Sequence, residues 1–424
     1  MSHNITIEGG KSVRLKTAGK FCDRDIVITA EGGEGGDGYV VSNESTNVAS
    51  YNQISTLDNL RIRYPNLLSV DNQAFYGMYR LHSIDLPIAT SIGDEAFTRC
   101  TSLVNVNMPN VKSIGVEAFR ECNSLVTANM PNVESISDYG FYGNSALTTV
   151  YAPNVTMIGH YTFVGCGFTS VTLPKLEDMG SDAFSSCSSL TSISLPNLTD
   201  IGTNAFGACG ALTNIDFPNL RIVRPYAFSE CDSLYNISLP NATNIEHEAF
   251  FQCQILTTAD LPSVKYINDY AFSECPSLTR LDLPKIQLIN QSAFYGCTSF
   301  DTLILGNTEQ VCDLNLTAIM DTKIAGADGM PTGEGFIYVP EAFYEQYMAN
   351  LAEQAYALLI YSGYSEAEAE YMAPYLISAI LRTIEGEAQA TTFGLRNPLA
   401  NFHGFTQEAI ELFKANYKVK EQSE

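Results

Sequence analysis

Apolar and polar positions along this chain repeat with a long, fixed period. Phenylalanine stands at 75, 97, 119, 141, 163, 184, 206, 228, 250, 272 and 294, stepping by 22 residues each time except for the 21 between Phe163 and Phe184. Self-similarity at such a period is the mark of a solenoid, in which each repeat is one coil that buries its apolar side only by stacking on its neighbours. In the unit from Phe184 to Phe206 the apolar positions are Phe184, Cys187, Leu190, Ile193, Leu195, Leu198 and Ile201. Leu190 to Pro196 alternates, which predicts a short strand with Ile193 and Leu195 inward and Pro196 closing the corner. Prolines at 87, 109, 131, 153, 174, 196, 218, 240, 262 and 284 mark ten such corners. Beyond each corner the chain turns inward again, at Leu198 and Ile201. Gly202 to Phe206 then predicts a short helical or 3₁₀ turn, with Ala205 small enough to sit under the next coil. With strands stacked about 4.8 Å apart, ten to eleven coils build a rod or arc of roughly 50 Å.

The two ends depart from this rhythm. Residues 57–74 read as a truncated capping repeat, since a solenoid end would otherwise expose its core. Residues 1–31 read as a small β attachment module of two or three strands, with Asn4–Glu8, Ser12–Leu15 and Asp25–Ala30 alternating between glycine breaks. Residues 32–38, glycine-rich and without a phosphate-loop pattern, read as a tether. The solenoid proper is expected over 39–306, and a C-terminal strand plus helical cap over 307–424. In that last segment Phe336–Val339 predicts a strand, and Pro340 opens a helix through about Tyr361. Ser365 with Glu368 forms a capping box that opens a second helix, with Gly386 past its end and Pro374 expected to bend or break it. Thr406 to about Lys418 predicts a third helix.

The signature Leu-x-x-Ile-x-Leu-Pro followed by Ile-Gly-x-x-Ala-Phe-x-x-Cys, complete at Leu190–Cys209 and repeated with substitutions along 57–305, resembles the BspA-like, or treponemal-type, leucine-rich repeat. That resemblance implies an α/β repeat fold: a right-handed solenoid of about 11 coils used for binding, commonly on bacterial surfaces or in secreted proteins. It implies no catalytic activity. The closing Ile337-Tyr338-Val339-Pro340 and following helix resemble the end of many such arrays, whereas the helical insertion of residues 350–400 departs from it. Separately, Glu8–Val13 and Thr17–Ile26 resemble short N-terminal pieces of phage and prophage structural proteins.

Charge and chemistry narrow the function classes. A net charge of −24, with charged residues only 17% of the chain, argues against nucleic acid and against a polybasic membrane contact. The basic residues Lys11, Arg14, Lys16, Lys20 and Arg24 make the N-terminal unit an exception. No signal peptide is visible, and no apolar run is long enough to span a bilayer. Nine of the eleven cysteines (100, 122, 166, 187, 209, 231, 253, 275 and 297) fall three residues after the repeat Phe. Met78 and Asn144 take the same place in other coils, so the position reads as a narrow apolar slot rather than a metal or disulfide ladder. The five histidines show no metal-ligand spacing, and no nucleophile, phosphate or calcium motif appears. The chain is therefore expected to need no cofactor or metal and to be no enzyme.

What remains is the strand face that points outward, to which each coil contributes about three positions. Down the stack these are Val104, Asn105 and Asn107; Val126, Thr127 and Asn129; Thr148, Thr149 and Tyr151; Thr191, Ser192 and Ser194; Thr213, Asn214 and Asp216; Tyr235, Asn236 and Ser238; Thr257, Thr258 and Asp260; and Thr279, Arg280 and Asp282. Hydroxyls, amides and carboxylates dominate, with Tyr151 and Tyr235 the exposed aromatics. Such a surface suits a polar, repetitive ligand such as a cell-surface glycan, or a protein strand. Three functions follow: a phage or prophage tail component that binds a host surface and attaches to the particle through residues 1–31, a bacterial cell-surface adhesin, or an assembly protein that oligomerises through its C-terminal helices.

Overall fold

The computed structural model describes residues 67–327 and 329–384, together with the backbone of strands Ser12–Leu15, Ile26–Glu31, Gly38–Ser42 and Leu60–Arg63. It is a parallel β-solenoid of about eleven coils followed by two helices. Each coil has three sides. The first is a short outward strand such as Ser192–Ser194, in which Ile193 is buried between half-exposed neighbours. The second, past the proline corner, is a two-residue strand such as Ser135–Ile136. The third is the ridge that carries the Ala-Phe pair. Strands of successive coils pair in parallel without offset, for example Thr127, Ala128 and Asn129 opposite Asn105, Val106 and Asn107.

The ridge is where the sequence expectation needs correction: it is a run of turns, not a helical or 3₁₀ segment. Its N–H groups alternate in direction. Those of Asn204, Phe206 and Ala208 reach across to the carbonyls of Pro225, Ala227 and Ser229 in the next coil, at 2.8–2.9 Å. Those of Ala205, Gly207 and Cys209 fold back three residues within their own coil. The run carries a left-handed residue two places before and two places after the Phe, and Asn204 and Ala208 have φ of 55° and 57°. A helix cannot form when its amides are spent between coils. The Phe-to-Ala bond of the ridge is kept down the stack, from Phe75 to Ala96 through Phe272 to Ala293, with Phe119 and Phe141 bonding Gly140 and Thr162 in place of Ala. The phenyl rings stack beneath it with centroids 4.9–5.9 Å apart. Each buried ring contributes about 1.5–3 kcal/mol of apolar transfer.

The cysteine slot also differs from the expected apolar one. Each repeat Cys is buried, and its Sγ lies 3.0–3.3 Å from the carbonyl of the Phe one coil earlier, as in Cys122 to Phe97 and Cys231 to Phe206. Asn144 donates its Nδ2 to the Phe119 carbonyl at 3.0 Å in the same way. The slot is narrow and dry, but it contains an acceptor that wants a donor. At the corners a second unforeseen ladder runs through asparagine: Asn110, Asn132, Asn154, Asn197, Asn219 and Asn241 each donate to the proline carbonyl of the previous coil, at 2.6–2.8 Å.

Both ends of the stack are covered. At the N-terminal end Ser12–Leu15 and Ile26–Glu31 pair antiparallel, as do Ile26–Glu31 and Gly38–Ser42, with Glu31 opposite Gly38. Gly38–Ser42 then runs parallel to Leu60–Arg63, which joins the first full coil at Leu81–Asp85. The small N-terminal sheet is thus continuous with the solenoid sheet. The expected strand Asn4–Glu8 and residues 32–37 of the expected tether lie outside the described residues.

At the other end, helix α1 (Tyr344–Tyr361) lies over the last coil. Its Tyr347 hydroxyl accepts the Cys312 N–H at 2.7 Å. Gln354 accepts from Leu316 N–H and donates to the Leu314 carbonyl, replacing the next coil that is not there. Helix α2 (Glu366–Ile380) opens on the expected capping box of Ser365 and Glu368. It runs unbroken through Pro374 and ends earlier than Gly386, because Leu381–Thr383 leaves as a strand parallel to Phe336–Val339. The expected helix 406–418 lies outside the described residues. No helix among those described is long and apolar enough to cross a membrane.

Candidate binding face

The outward strand residues singled out in the sequence do share one face. The inward partner of each strand, such as Val106, Ile193 or Ile237, is buried, and the pleat sends its neighbours to solvent. Tyr151 and Tyr235 are each 55% exposed, so the face offers two open aromatic rings. In-register pairing aligns the positions into columns. Asn107, Asn129 and Tyr151 form one, Ser192 and Asn214 another, and Asn236, Thr258 and Arg280 a third.

Much of the hydrogen-bonding capacity is used within the protein. Thr191, Thr213 and Thr257 donate their hydroxyls to the carbonyl of the residue one coil earlier, at 2.8–3.1 Å. Thr148 does so at 3.5 Å. Ser194 donates to Asp216, Ser238 to Asp260, and Thr127 to Asn105. Part of the donor capacity is therefore engaged, and the columns also turn outward the hydroxyl lone pairs and the carboxylates of Asp216, Asp260 and Asp282. This arrangement favours a ligand rich in hydroxyl or amide donors.

Nor is the face one uninterrupted sheet. Strand pairing stops between Thr149–Tyr151 and Ser170–Thr172, and again between Asn214–Asp216 and Asn236–Ser238. The first interruption falls at the 21-residue coil. The residue missing there is in the turn after Cys166, where Phe168 takes the place of leucine. Thr148 and Tyr151 thus belong to the first platform, Thr191, Ser192, Ser194, Thr213, Asn214 and Asp216 to the second, and Tyr235, Asn236, Ser238, Thr257, Thr258, Asp260, Thr279, Arg280 and Asp282 to the third. The single irregular step in the sequence was an available signal for the first interruption; the second falls between coils of ordinary length. The repeat cysteines take no part in the face; burial pushes the Cys100 and Cys209 thiols up to about 12. Among the described residues no group of three or more His, Cys, Asp or Glu is placed to hold a metal.

A family model described as BspA type leucine rich repeat region matches the chain in six copies, over residues 43–148, 68–190, 156–263 and 221–325. No curated protein sequence matches. Among solved structures, the chain is similar to a leucine-rich cell surface protein of Faecalibacterium prausnitzii, at 19% identity and TM-score 0.33, covering 68% of this chain and 95% of the other. A leucine-rich repeat protein of Bacteroides ovatus gives 21% identity and TM-score 0.37, covering 79% and 98%. The pneumococcal vaccine antigen PcpA gives 15% and 0.44, covering 80% and 96%.

Proposed function

This chain belongs to the BspA-type leucine-rich repeat family, and we propose that it is a non-enzymatic recognition protein that binds a cell-surface ligand on its outward strand face. The observation that carries this is the aligned columns of exposed hydroxyl, amide and carboxylate side chains around Tyr151 and Tyr235. A hydroxyl-rich glycan is the ligand class this chemistry suits best, with a donor-bearing protein surface second. Aromatic rings at two separated coils supply apolar contact, and the acceptor columns between them supply direction. We propose further that residues 1–31 attach the solenoid to a larger particle, such as a phage or prophage tail, in line with their basic character. An adhesin held on a bacterial surface is the alternative.

A glycan array probed with the full chain tests the face. Binding to a defined glycan class, weakened at least tenfold by Tyr151→Ala together with Tyr235→Ala, is the expected result. Unchanged binding by the double variant would remove the strand face from consideration. Attachment is tested separately, by deleting residues 1–31 and asking whether particle association is lost while the solenoid stays folded.

A further inference from the structure

The outward strand face ends on Leu381–Thr383, which lies beside Phe336–Val339 with Arg382 opposite Tyr338. Pairing carries that column back through Ile304 to Asp282, so Arg382 closes the third platform on its outward side. Arg382 is half-buried, and its guanidinium lies over the Phe336 ring, 4.3 Å from the centroid. Its Nη1 donates to the Ser378 and Leu381 carbonyls at 3.0 and 2.7 Å, the first of them in the last turn of α2. These contacts cap a helix C-terminus and fix the plane of the group. They leave Nε and Nη2 over. Neither nitrogen has a hydrogen-bond partner among the described residues, and neither is shut away from water.

Arg99, Arg120 and Arg224 each lie within 3.0 Å of a carboxylate. Arg382 has no carboxylate at ion-pair distance among the described residues. Burial pulls its guanidinium below the ordinary value, and a cation held this way is stabilised by an anion brought to it. Nε and Nη2 form one edge of the planar group, and their N–H bonds run parallel at the spacing of two carboxylate oxygens. With Nη1 tied to main chain and a ring against one face, that edge is held ready for a planar anion. Asp282 stands three strand steps away, about 14 Å, beyond the screening length of about 8 Å at physiological salt. Tyr338 and Tyr344 are close enough for their hydroxyls to act on the Arg382 charge, so the fork is set among aromatic rings.

We propose that Arg382 is the carboxylate-binding end of the outward strand face, and that the ligand taken there carries an acidic sugar of the uronic acid type. The sugar carboxylate pairs with Nε and Nη2, and the ring lies against Tyr338. This rests on the reading of the face as glycan-binding and adds a charged unit at one end of the ligand. Tyr235 stands five strand steps away, about 24 Å, so a single sugar on Arg382 does not reach it.

The test titrates the full chain with galacturonate and with its methyl ester, read by saturation-transfer NMR. Saturable binding of the acid is expected, with the ester about tenfold weaker or more, since a charge-assisted pair is lost. Arg382→Gln should bring the acid down to the affinity of the ester. Arg382→Lys keeps the charge and can still reach the Ser378 and Leu381 carbonyls, but it lacks the fork and should also bind the acid several-fold more weakly. Arg221→Gln, the same charge change at an exposed position on the short-strand side, should bind as the parent does. Equal affinity for acid and ester, no loss with Arg382→Lys, or an equal loss with Arg221→Gln would overturn the proposal. So would the absence of saturable binding. Tighter binding of N-acetylglutamate amide than of galacturonate would assign the fork to an acidic protein surface and overturn the sugar. Failure here leaves the array result with Tyr151 and Tyr235 to judge the face, and Arg382-dependent binding of galacturonate without any array binding would fail the face reading alone.

Discussion

At the residue scale, the slot three places after each Phe shows how a small side chain is selected. Cysteine fits because it is narrow and apolar yet still offers a weak donor to the Phe carbonyl of the coil before. Asn144 keeps the donor but leaves its Oδ1 buried without a partner. An unsatisfied buried acceptor costs about 1–3 kcal/mol. Replacing Asn144 by Cys should therefore stabilise the protein by about 1 kcal/mol, visible as a higher urea midpoint at unchanged slope. A lower midpoint would mean that the amide oxygen has a partner in solution. Sequence alone showed the position to be periodic and small. That it also holds an acceptor became visible only when the Phe carbonyl of the previous coil was placed beside it.

At the element scale, the first interruption of the strand face falls at the coil whose turn between ridge and strand is shortened. In the 21-residue coil this turn is one residue short, and Gly167 packs so closely that a Cβ there would lie 2.3 Å from the Ser145 carbonyl. At Gly210, in the equivalent turn of a full-length coil, the nearest atom to such a Cβ is 3.8 Å away. Gly167→Ala should destabilise by about 1–3 kcal/mol through overpacking, whereas Gly210→Ala should be neutral or slightly stabilising. Paired thermal melts of the two variants decide this, and equal melting temperatures would contradict the close approach. The helices illustrate the same dependence on neighbours. The capping box of Ser365 and Glu368 was legible because it is local. The end of α2 at Ile380 was not, because it is set by a strand partner, Phe336–Val339, more than forty positions earlier in the chain.

At the scale of the whole molecule, identical small terms add up along the stack. Burial raises the thiol pKa of Cys100, Cys122, Cys166, Cys187, Cys209 and Cys231 above its ordinary value. The unfolded chain ionises its thiols near pH 8.5, while the folded chain does not until near 12 at Cys100 and Cys209. Between those limits the unfolded state binds fewer protons, so stability falls as pH rises. Each such thiol removes about 1.4 kcal/mol per pH unit. The urea midpoint should be flat from pH 6 to 8 and drop steeply between 9 and 10, and a Cys122→Ala, Cys231→Ala variant should drop less steeply. A midpoint independent of pH up to 10 would show the slots to be open to water.

The sequence by itself determined the period, the number of coils, the buried Phe and Cys columns, the proline corners and which strand residues face outward. Each of these depends on contacts between residues at a fixed spacing, and repetition makes such contacts readable. Only the tertiary structure decided where the ladders stop. The short-strand sheet stops at Asp178–Met179 and restarts at Ile222–Val223 although the coils there keep the 22-residue spacing, so no local pattern in the chain announces the break. The ridge belongs to the same class: Ala-Phe looks helical as a string, and becomes a turn because its amides find better partners one coil away.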